Sequence, residues 1–393
     1  MSSISTASGN ARFAKRNRLA RLAPFIVCFC PVLGLSQTST GQTTQTDAKW
    51  NIDVSGYADL YYQYNPSHPQ VNGGVNGRWF DINHNKYTLA AMQLDVSHAP
   101  TEKQPFGFFV SLLSGQNADI LASTEPGGIN TYKNFMQAYV SYMISGRIPT
   151  TFDFGKWYSF IGYEGLDSRA QDNYSRSFLF TSLEPDYMTG LRVTSTLSSK
   201  LTANAYVYQG YNEVQDSNLG KTVGAALTYA FSPKLTATLQ GYYGDEGSDT
   251  ANQSGSFGGI GFPTPGVSKV GQACLYAVYQ PNANDKFAFD SDYASAKGMG
   301  NWNGMELIYR RQINDRNALA FRVERAEDTS GLRFLAGPLL LHSLTGTYDY
   351  NLSKNALLRF EIRHDFASAD FFASSSGPTK QRTTLSFAQI FKF

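Results

Sequence analysis

Every second residue from Trp50 to Tyr64 is apolar or small. Trp50, Ile52, Val54, Gly56, Ala58, Leu60, Tyr62 and Tyr64 alternate with Asn51, Asp53, Ser55, Tyr57, Asp59, Tyr61 and Gln63. Side chains alternate faces along a strand, so this segment has one greasy face and one wet face. The same dyad returns at Leu201, Ala203, Ala205, Val207, at Val223, Ala225, Leu227, Tyr229 and at Leu235, Ala237, Leu239. Near the end of the chain, Ala356, Leu358, Phe360, Ile362 oppose Leu357, Arg359, Glu361, Arg363, Asp365. The chain is therefore all-β. A soluble sandwich also alternates, so the period alone does not say whether the greasy face meets a core or lipid.

The connections between these segments decide more, because they alternate short and long. The short ones are Ala99 to Gln104, Ser145 to Pro149, Ser198 to Lys200, Ser232 to Lys234, Gln280 to Asp285, Asn314 to Arg316 and Asn351 to Lys354. The long ones are Asn65 to Asn85, Gly115 to Asn134, Gly162 to Tyr187, Asn212 to Gly220, Asp245 to Ser268, Ala294 to Asn301, Glu327 to Pro338 and Ala367 to Thr379. Seven short turns and eight long loops predict sixteen strands. The weak segments 105–115, 150–161 and 284–293 could be merged or lost, which leaves fourteen and eighteen strands as alternatives. This asymmetry suits a transmembrane antiparallel β-barrel with short periplasmic turns and long extracellular loops. In hydrocarbon every backbone donor and acceptor needs a partner within the protein, so the sheet is expected to close.

The remaining composition agrees. Only 16% of the 393 residues are charged and 14% are aromatic. Mean hydropathy is −0.31, and beyond residue 36 no run approaches the ~18 to 20 apolar residues of a spanning helix. Arg12, Lys15, Arg16, Arg18 and Arg21 precede the apolar run Leu22 to Leu35 with no acid between them, the pattern of a secretory signal. Residues 1–36 are expected to be a signal peptide cut before Gln37, residues 37–48 a flexible lead-in and residues 49–393 the barrel. Without those five cations, 28 basic residues face 31 acidic ones. That balance implies no basic nucleic-acid-binding face. Cys28 and Cys30 fall in the leader, so Cys274 is left alone and no internal disulfide is expected.

Tyrosine and phenylalanine collect at the expected strand ends: Tyr62, Tyr64, Tyr142, Phe152, Phe154, Phe231, Tyr243, Tyr348 and Tyr350. Amphipathic rings favour the headgroup level, which gives such barrels their aromatic girdles. Leu385, Phe387, Phe391 and Phe393 share one face of the last segment, interrupted by Gln389. This ending resembles the insertion signal read by the outer-membrane assembly machinery of bacteria.

A second resemblance is confined to about residues 152 to 195. Gly155-Lys156-Trp157, Ile161-Gly162-Tyr163-Glu164, Tyr174-Ser175-Arg176-Ser177, Glu184-Pro185 and Thr189-Gly190 are similar to the signature of the OmpL-like β-barrel porin family. The resemblance implies a porin fold in the bacterial outer membrane and names no substrate.

Residues that could carry chemistry are few. His68, His84, His98, His342 and His364 show no metal-ligand spacing. His364 and Asp365 are strand neighbours and point to opposite faces, so they form no catalytic dyad. The run Gly258-Gly259-Ile260-Gly261 follows no strand-to-helix turn and makes no phosphate cradle. No enzyme activity, cofactor or metal is expected.

The predicted wet face instead carries both charge signs. Arg192, Glu306, Arg310, Arg322, Glu324, Arg359, Glu361 and Arg363 are expected to line the lumen, with Asp53, Asp59, Asp95 and Asp365. These charges either orient polar solutes in a pore or form cross-strand ladders that stiffen the wall, Glu306 and Arg310 facing Arg322 and Glu324. The loop Gly162 to Tyr187 is expected to fold partly into the lumen, bringing Glu164, Asp167, Arg169 and Arg176 to a constriction. Tyr163, Tyr174, Phe178 and Phe180 interleave its charges and need a surface to pack on. Two functions stay open: a passive channel for small hydrophilic solutes or ions, or a structural or adhesive barrel with a plugged lumen and ligand-binding exterior loops. The expected partners are outer-membrane lipid and small polar solutes, in an oligomeric state the sequence does not give.

Overall fold

The computed structural model describes residues 50–69, 75–123, 125, 132–247, 269–334 and 336–393. The expected leader, the lead-in and the run Gly258 to Gly261 lie outside the described residues. Sixteen strands follow in chain order: β1 (Asp53–Tyr64), β2 (Lys86–His98), β3 (Phe106–Ser114), β4 (Phe135–Ile144), β5 (Thr150–Tyr158), β6 (Tyr187–Thr196), β7 (Leu201–Tyr208) and β8 (Thr222–Ser232). The second half comprises β9 (Leu235–Asp245), β10 (Lys269–Tyr279), β11 (Asp285–Ala296), β12 (Gly300–Gln312), β13 (Asn317–Asp328), β14 (Leu339–Ser353), β15 (Ala356–Ala367) and β16 (Gln381–Lys392). The weak segments 105–115, 150–161 and 284–293 hold β3, β5 and β11, so none is lost.

Each strand pairs antiparallel with its sequence neighbours, and β1 pairs with β16 to close the barrel. Closure runs from Tyr57 opposite Lys392 to Tyr64 opposite Leu385. Gly56 and Phe393 extend it by exchanging two backbone hydrogen bonds of 3.1 Å. Among the described residues no strand edge is left unpaired, as a hydrocarbon setting requires.

The side-chain period sorts the two faces. Leu227, Leu239, Val323, Leu344, Ile362 and Leu385 are exposed on the outside, while their strand neighbours Thr238, Arg322, Glu324, Ser343, Thr345 and Arg363 are buried inside. Exposed rings gather near both ends of the strands. At the short-turn end Phe287 lies 4.8 Å from Tyr309, and Phe106 lies 5.0 Å from Tyr142. At the other end Tyr62 lies 5.0 Å from Tyr87.

Seven connections at one end of the barrel are short, as read from the sequence. At the opposite end one expectation fails. The segment Ala294 to Asn301 is no long loop: β11 runs on to Ala296 and β12 starts at Gly300, leaving a three-residue turn, 297–299. Lys297 and Gly298 read locally as loop chemistry. The ladder continues past them on both sides, with Ala296 paired to Gly300. The connection between β3 and β4 also holds a short helix, α1 (Gln116–Ser123), which the sequence reading left as loop.

The core of this barrel is inside it. Residues 159–186, between β5 and β6, turn inward, and every residue from Gln171 to Met188 is buried. A single π-helical turn, Leu179–Leu183, packs Phe178, Leu179 and Leu183 against Trp302, Ala294 and Ala326 of the wall. Gly304 makes this approach possible, because a Cβ there would sit 2.7 Å from Leu179 Cδ1. Burying a Leu or Phe side chain contributes ~1.5 to 3 kcal/mol, enough to draw an apolar turn into an otherwise polar lumen.

Candidate functional site

The inward loop is held by the charges that alternation places on the lumen wall, at the middle of their strands. Arg322 of β13 meets Glu164 at 2.6 Å and donates to the Ser175 carbonyl at 2.7 Å. Glu361 of β15 accepts from the backbone N–H groups of Tyr174 (2.6 Å) and Ser175 (3.0 Å). Glu324 accepts from the N–H of Phe178 at 2.5 Å. Arg359 donates to the carbonyls of Gln171 and Asn173, and Arg363 to that of Arg176. A loop inside a barrel has no ladder for its backbone polar groups, and leaving them unmade costs ~1 to 3 kcal/mol each. The wall charges supply the missing partners.

The twelve residues read from the sequence as constriction or lining therefore divide. Arg176, Arg322, Glu324, Arg359, Glu361, Arg363 and Glu306 are almost completely buried. Arg176 is bonded to the Gly165, Leu166 and Tyr174 carbonyls at 2.6 to 2.8 Å, so it clasps its own loop. Arg169, Arg192 and Arg310 keep about a fifth of their side-chain surface open to the lumen. Arg169 bridges Asp95 and Asp167 at 2.8 and 2.7 Å, and these carboxylates hold its guanidinium more firmly protonated than usual. Arg192 pairs with Asp153, and Arg310 with Asp349, each at 2.8 Å. Glu164, buried against Arg322, and Asp167 border the remaining space beside the loop.

The expected ladder of Glu306 and Arg310 against Arg322 and Glu324 forms only in part. Glu306 stands directly opposite Glu324, a like-charge pair, and Arg310 opposite Ala320. Arg322, placed opposite Ile308, reaches both acids at 4.0 and 3.5 Å. Arg310 reaches past its neighbour strand to Asp349 instead. Alternation gives the face of a residue but not the register of its strand, and register decides the partners.

Sequence reasoning missed a second set of charges. Arg78, from the loop between β1 and β2, enters the lumen to meet Asp365 at 2.7 Å and Asp81 at 2.6 Å. Arg382 of β16 shares Asp365 at 2.6 Å, and Lys286 of β11 meets Asp172 at 2.7 Å. Asp349 and Arg382 were legible from alternation with Thr345 and Thr347, or Thr384 and Ser386. Arg78 carries no local signal.

The loop packs against one side of the lumen, and a cavity remains on the other. Between residues 158–171 and the wall of β7 to β10 lies a cavity of about 470 Å³. Its wall side presents Asn204, Thr228, Thr238 and Gln240, with Tyr206 and Tyr276, and no charged residue. Phe160 stacks on Tyr206 at 3.8 Å and borders the same space. Asp186, at the foot of the loop, exchanges hydrogen bonds with Asn212, its backbone N–H at 2.7 Å and its carboxylate at 2.8 Å. Burial pushes its carboxyl up to about 7.

A closed barrel with an apolar outer face, a charged lumen and a loop folded into that lumen defines an outer-membrane porin. The chain belongs to the family described as "Putative beta-barrel porin-2, OmpL-like", whose model matches residues 51–393. It is accordingly a protein of the bacterial outer membrane. No curated protein matches it by sequence. Among solved structures it is similar to the outer membrane channel DcaP of Acinetobacter baumannii (TM-score 0.57, 10% identity, 88% of this chain and 99% of that one). It is also similar to the anion-selective porin of Comamonas acidovorans (TM-score 0.54, 14% identity, 88% and 100%). The loop-deletion variant of the Vibrio cholerae outer membrane protein OmpT aligns at TM-score 0.56 with 8% identity, covering 87% and 99%. At these identities the likeness is one of fold.

Proposed function

We propose that this protein is a passive channel for small hydrophilic solutes, inserted by the outer-membrane assembly machinery and narrowed by the loop 159–186. The observation that carries this reading is the cavity of about 470 Å³ between that loop and the uncharged wall of β7 to β10. The charged residues opposite this wall, Glu164, Asp167 and Asp186, are all acidic, and Arg322 and Arg169 pair the first two, which moderates the negative field they present. Amides and hydroxyls at Asn204, Gln240, Thr228 and Thr238 replace part of a solute's hydration shell. Swelling of vesicles loaded with sugars of increasing size tests the reading. Uptake of small sugars that falls with solute size supports it, and vesicles that stay closed to every solute contradict it.

The continuous burial of residues 171–188 favours a second reading, a plugged barrel whose exterior loops bind a partner. In that case the swelling assay stays silent although the barrel is assembled.

A further inference from the structure

On the lumen face of β10 and β11, the register sets Cys274 directly opposite Asp292, with Asp290 two positions along the same strand face. The Cys274 thiol donates to Asp290 Oδ1 at 3.2 Å. The sulfur and one oxygen of each carboxylate all lie within 4.8 Å of one another, and all three residues are buried. Separation along the sequence hides this group, because only strand pairing brings it together.

The inward loop supplies an independent fourth member. Glu184, 2% exposed, stands beside Asp292, just outside the group formed by Cys274, Asp290 and Asp292. Gly162, at φ +88°, leaves the room for it, since a Cβ there would fall 1.9 Å from Glu184 Oε2. Among the described residues no N–H or hydroxyl donor reaches Glu184 Oε2 or Asp292 Oδ2, and the two carboxyls stand within hydrogen-bond reach of each other. Gln272 gives its Nε2 to Asp292 Oδ1 at 3.1 Å and leaves its own Oε1 without a partner. The orphaned atoms are all acceptors. Tyr163, whose N–H reaches Asp290 Oδ2 at 2.6 Å, serves a different oxygen.

Three buried carboxyl groups with no salt bridge to Lys, Arg or His among the described residues are expensive to keep charged. Arg322 serves Glu164, Glu306 and Glu324, and Lys286 serves Asp172. A proton or a cation must compensate the cluster.

We propose that Cys274, Asp290, Asp292 and Glu184 bind a divalent cation of the zinc class, which clips the C-terminal limb of the inward loop to β10 and β11. A thiolate with carboxylates is a zinc-type donor set, whereas Mg²⁺ and Ca²⁺ take oxygen donors. Zinc bonds of ~2.0 to 2.3 Å place tetrahedral ligand atoms ~3.3 to 3.8 Å apart, so shifts of about 1 Å bring Cys274, Asp290 and Asp292 around the ion, and Glu184 turns in from the loop to complete it. Binding requires the thiolate and releases the thiol proton to water. The site does not depend on whether the lumen conducts.

The test uses a chain carrying Cys28→Ser and Cys30→Ser, so that Cys274 is the sole thiol. The barrel is purified in detergent, stripped with chelator, and titrated with Zn²⁺, Cd²⁺ or Mg²⁺ alone. The expected results are one Zn²⁺ per chain, a thiolate-to-Cd²⁺ charge-transfer band in the ultraviolet, and no competition from excess Mg²⁺. Glu184→Gln and Asp292→Asn should weaken Zn²⁺ binding by about 10- to 100-fold, with folding checked by heat-modifiable gel mobility. The Cd²⁺ band is read without those variants and decides the matter even if they fail to assemble. Absence of saturable Zn²⁺ binding, absence of the band, or equal competition by Mg²⁺ would each overturn the proposal.

Discussion

The guanidinium of Arg322, in the middle of β13, meets the carboxylate of Glu164, at the start of the inward loop, at 2.6 Å with neither side chain open to solvent. One contact thus joins the wall to the loop folded inside it. Removing one partner of a buried pair costs ~3 to 5 kcal/mol, because the other charge stays behind.

Arg322→Ala should therefore release the loop while leaving the strands paired. Amide exchange is expected to quicken across 159–186 and to stay slow in β12 to β15. Arg322→Ala combined with Glu164→Gln should recover part of the loss, since Glu164 is then no longer a buried unpaired charge and Glu324 keeps Arg363, while Glu306 still lacks its cation. Equal exchange in wild type and Arg322→Ala would show that the pair does not hold the loop.

The two faces of β8 predict opposite responses to the same residue. Leu227→Arg puts a cation against hydrocarbon at a cost of ~2 to 4 kcal/mol, whereas Thr228→Arg puts it against lumen water. Assembly yield into outer membranes should fall for the first and hold for the second. Equal yields would mean the faces are reversed.

Two arginines of the loop separate a selectivity role from a structural one. Arg169 keeps lumen exposure beside Asp95 and Asp167, so Arg169→Glu leaves three carboxylates together. Reversal potentials in a salt gradient should move toward cation preference. Arg176 is bonded to three loop carbonyls, so Arg176→Glu should disorder the loop, read as protease cleavage within 159–186. An unmoved reversal potential in Arg169→Glu would remove Arg169 from the conducting path.

Asp186 and Glu246 give the loop bases a pH dependence. Burial raises their carboxyls to about 7 and about 8, against 3.8 and 4.5 when free. A raised carboxyl contributes stability that is present below the unfolded value and lost as pH rises through the folded value. Asn212, Arg333 and Lys156 act on Asp186; Thr222 and Tyr211 stabilise charged Glu246, while Glu213 and Asp245 oppose it. Local opening of 159–186 and 209–221 should thus be rarer at pH 5 than at pH 8 after correction for intrinsic exchange. Asp186→Asn and Glu246→Gln together should flatten that dependence.

The strand number and the two faces were legible because a hydrocarbon-facing sheet imposes one period and one requirement, closure, on every segment. Leu227 and Thr228 declare their faces without any knowledge of their neighbours. The inward loop was legible for a related reason: Phe178 and Phe180 are rings in a segment too polar to be a strand, so they needed a wall. What escaped depends on register and depth. Nothing near Arg78 shows that its loop dips to Asp365, and the opposition of Glu306 to Glu324 follows from strand pairing alone. Cys274 and Asp292 likewise look unrelated until β10 and β11 are aligned. The three-residue turn 297–299 was missed because glycine and lysine punctuate a tight turn as readily as a long loop.

Single-channel conductance in a planar bilayer tests the channel most directly, comparing wild type with a chain whose residues 164–184 are replaced by a Gly-Ser linker. Both must first show the heat-modifiable mobility of a closed barrel. A lumen narrowed by the loop predicts small, steady steps from wild type and distinctly larger ones from the replacement. Silence from wild type beside steps from the replacement would mean that the loop plugs the barrel, and equal steps from both would mean that the loop does not narrow it.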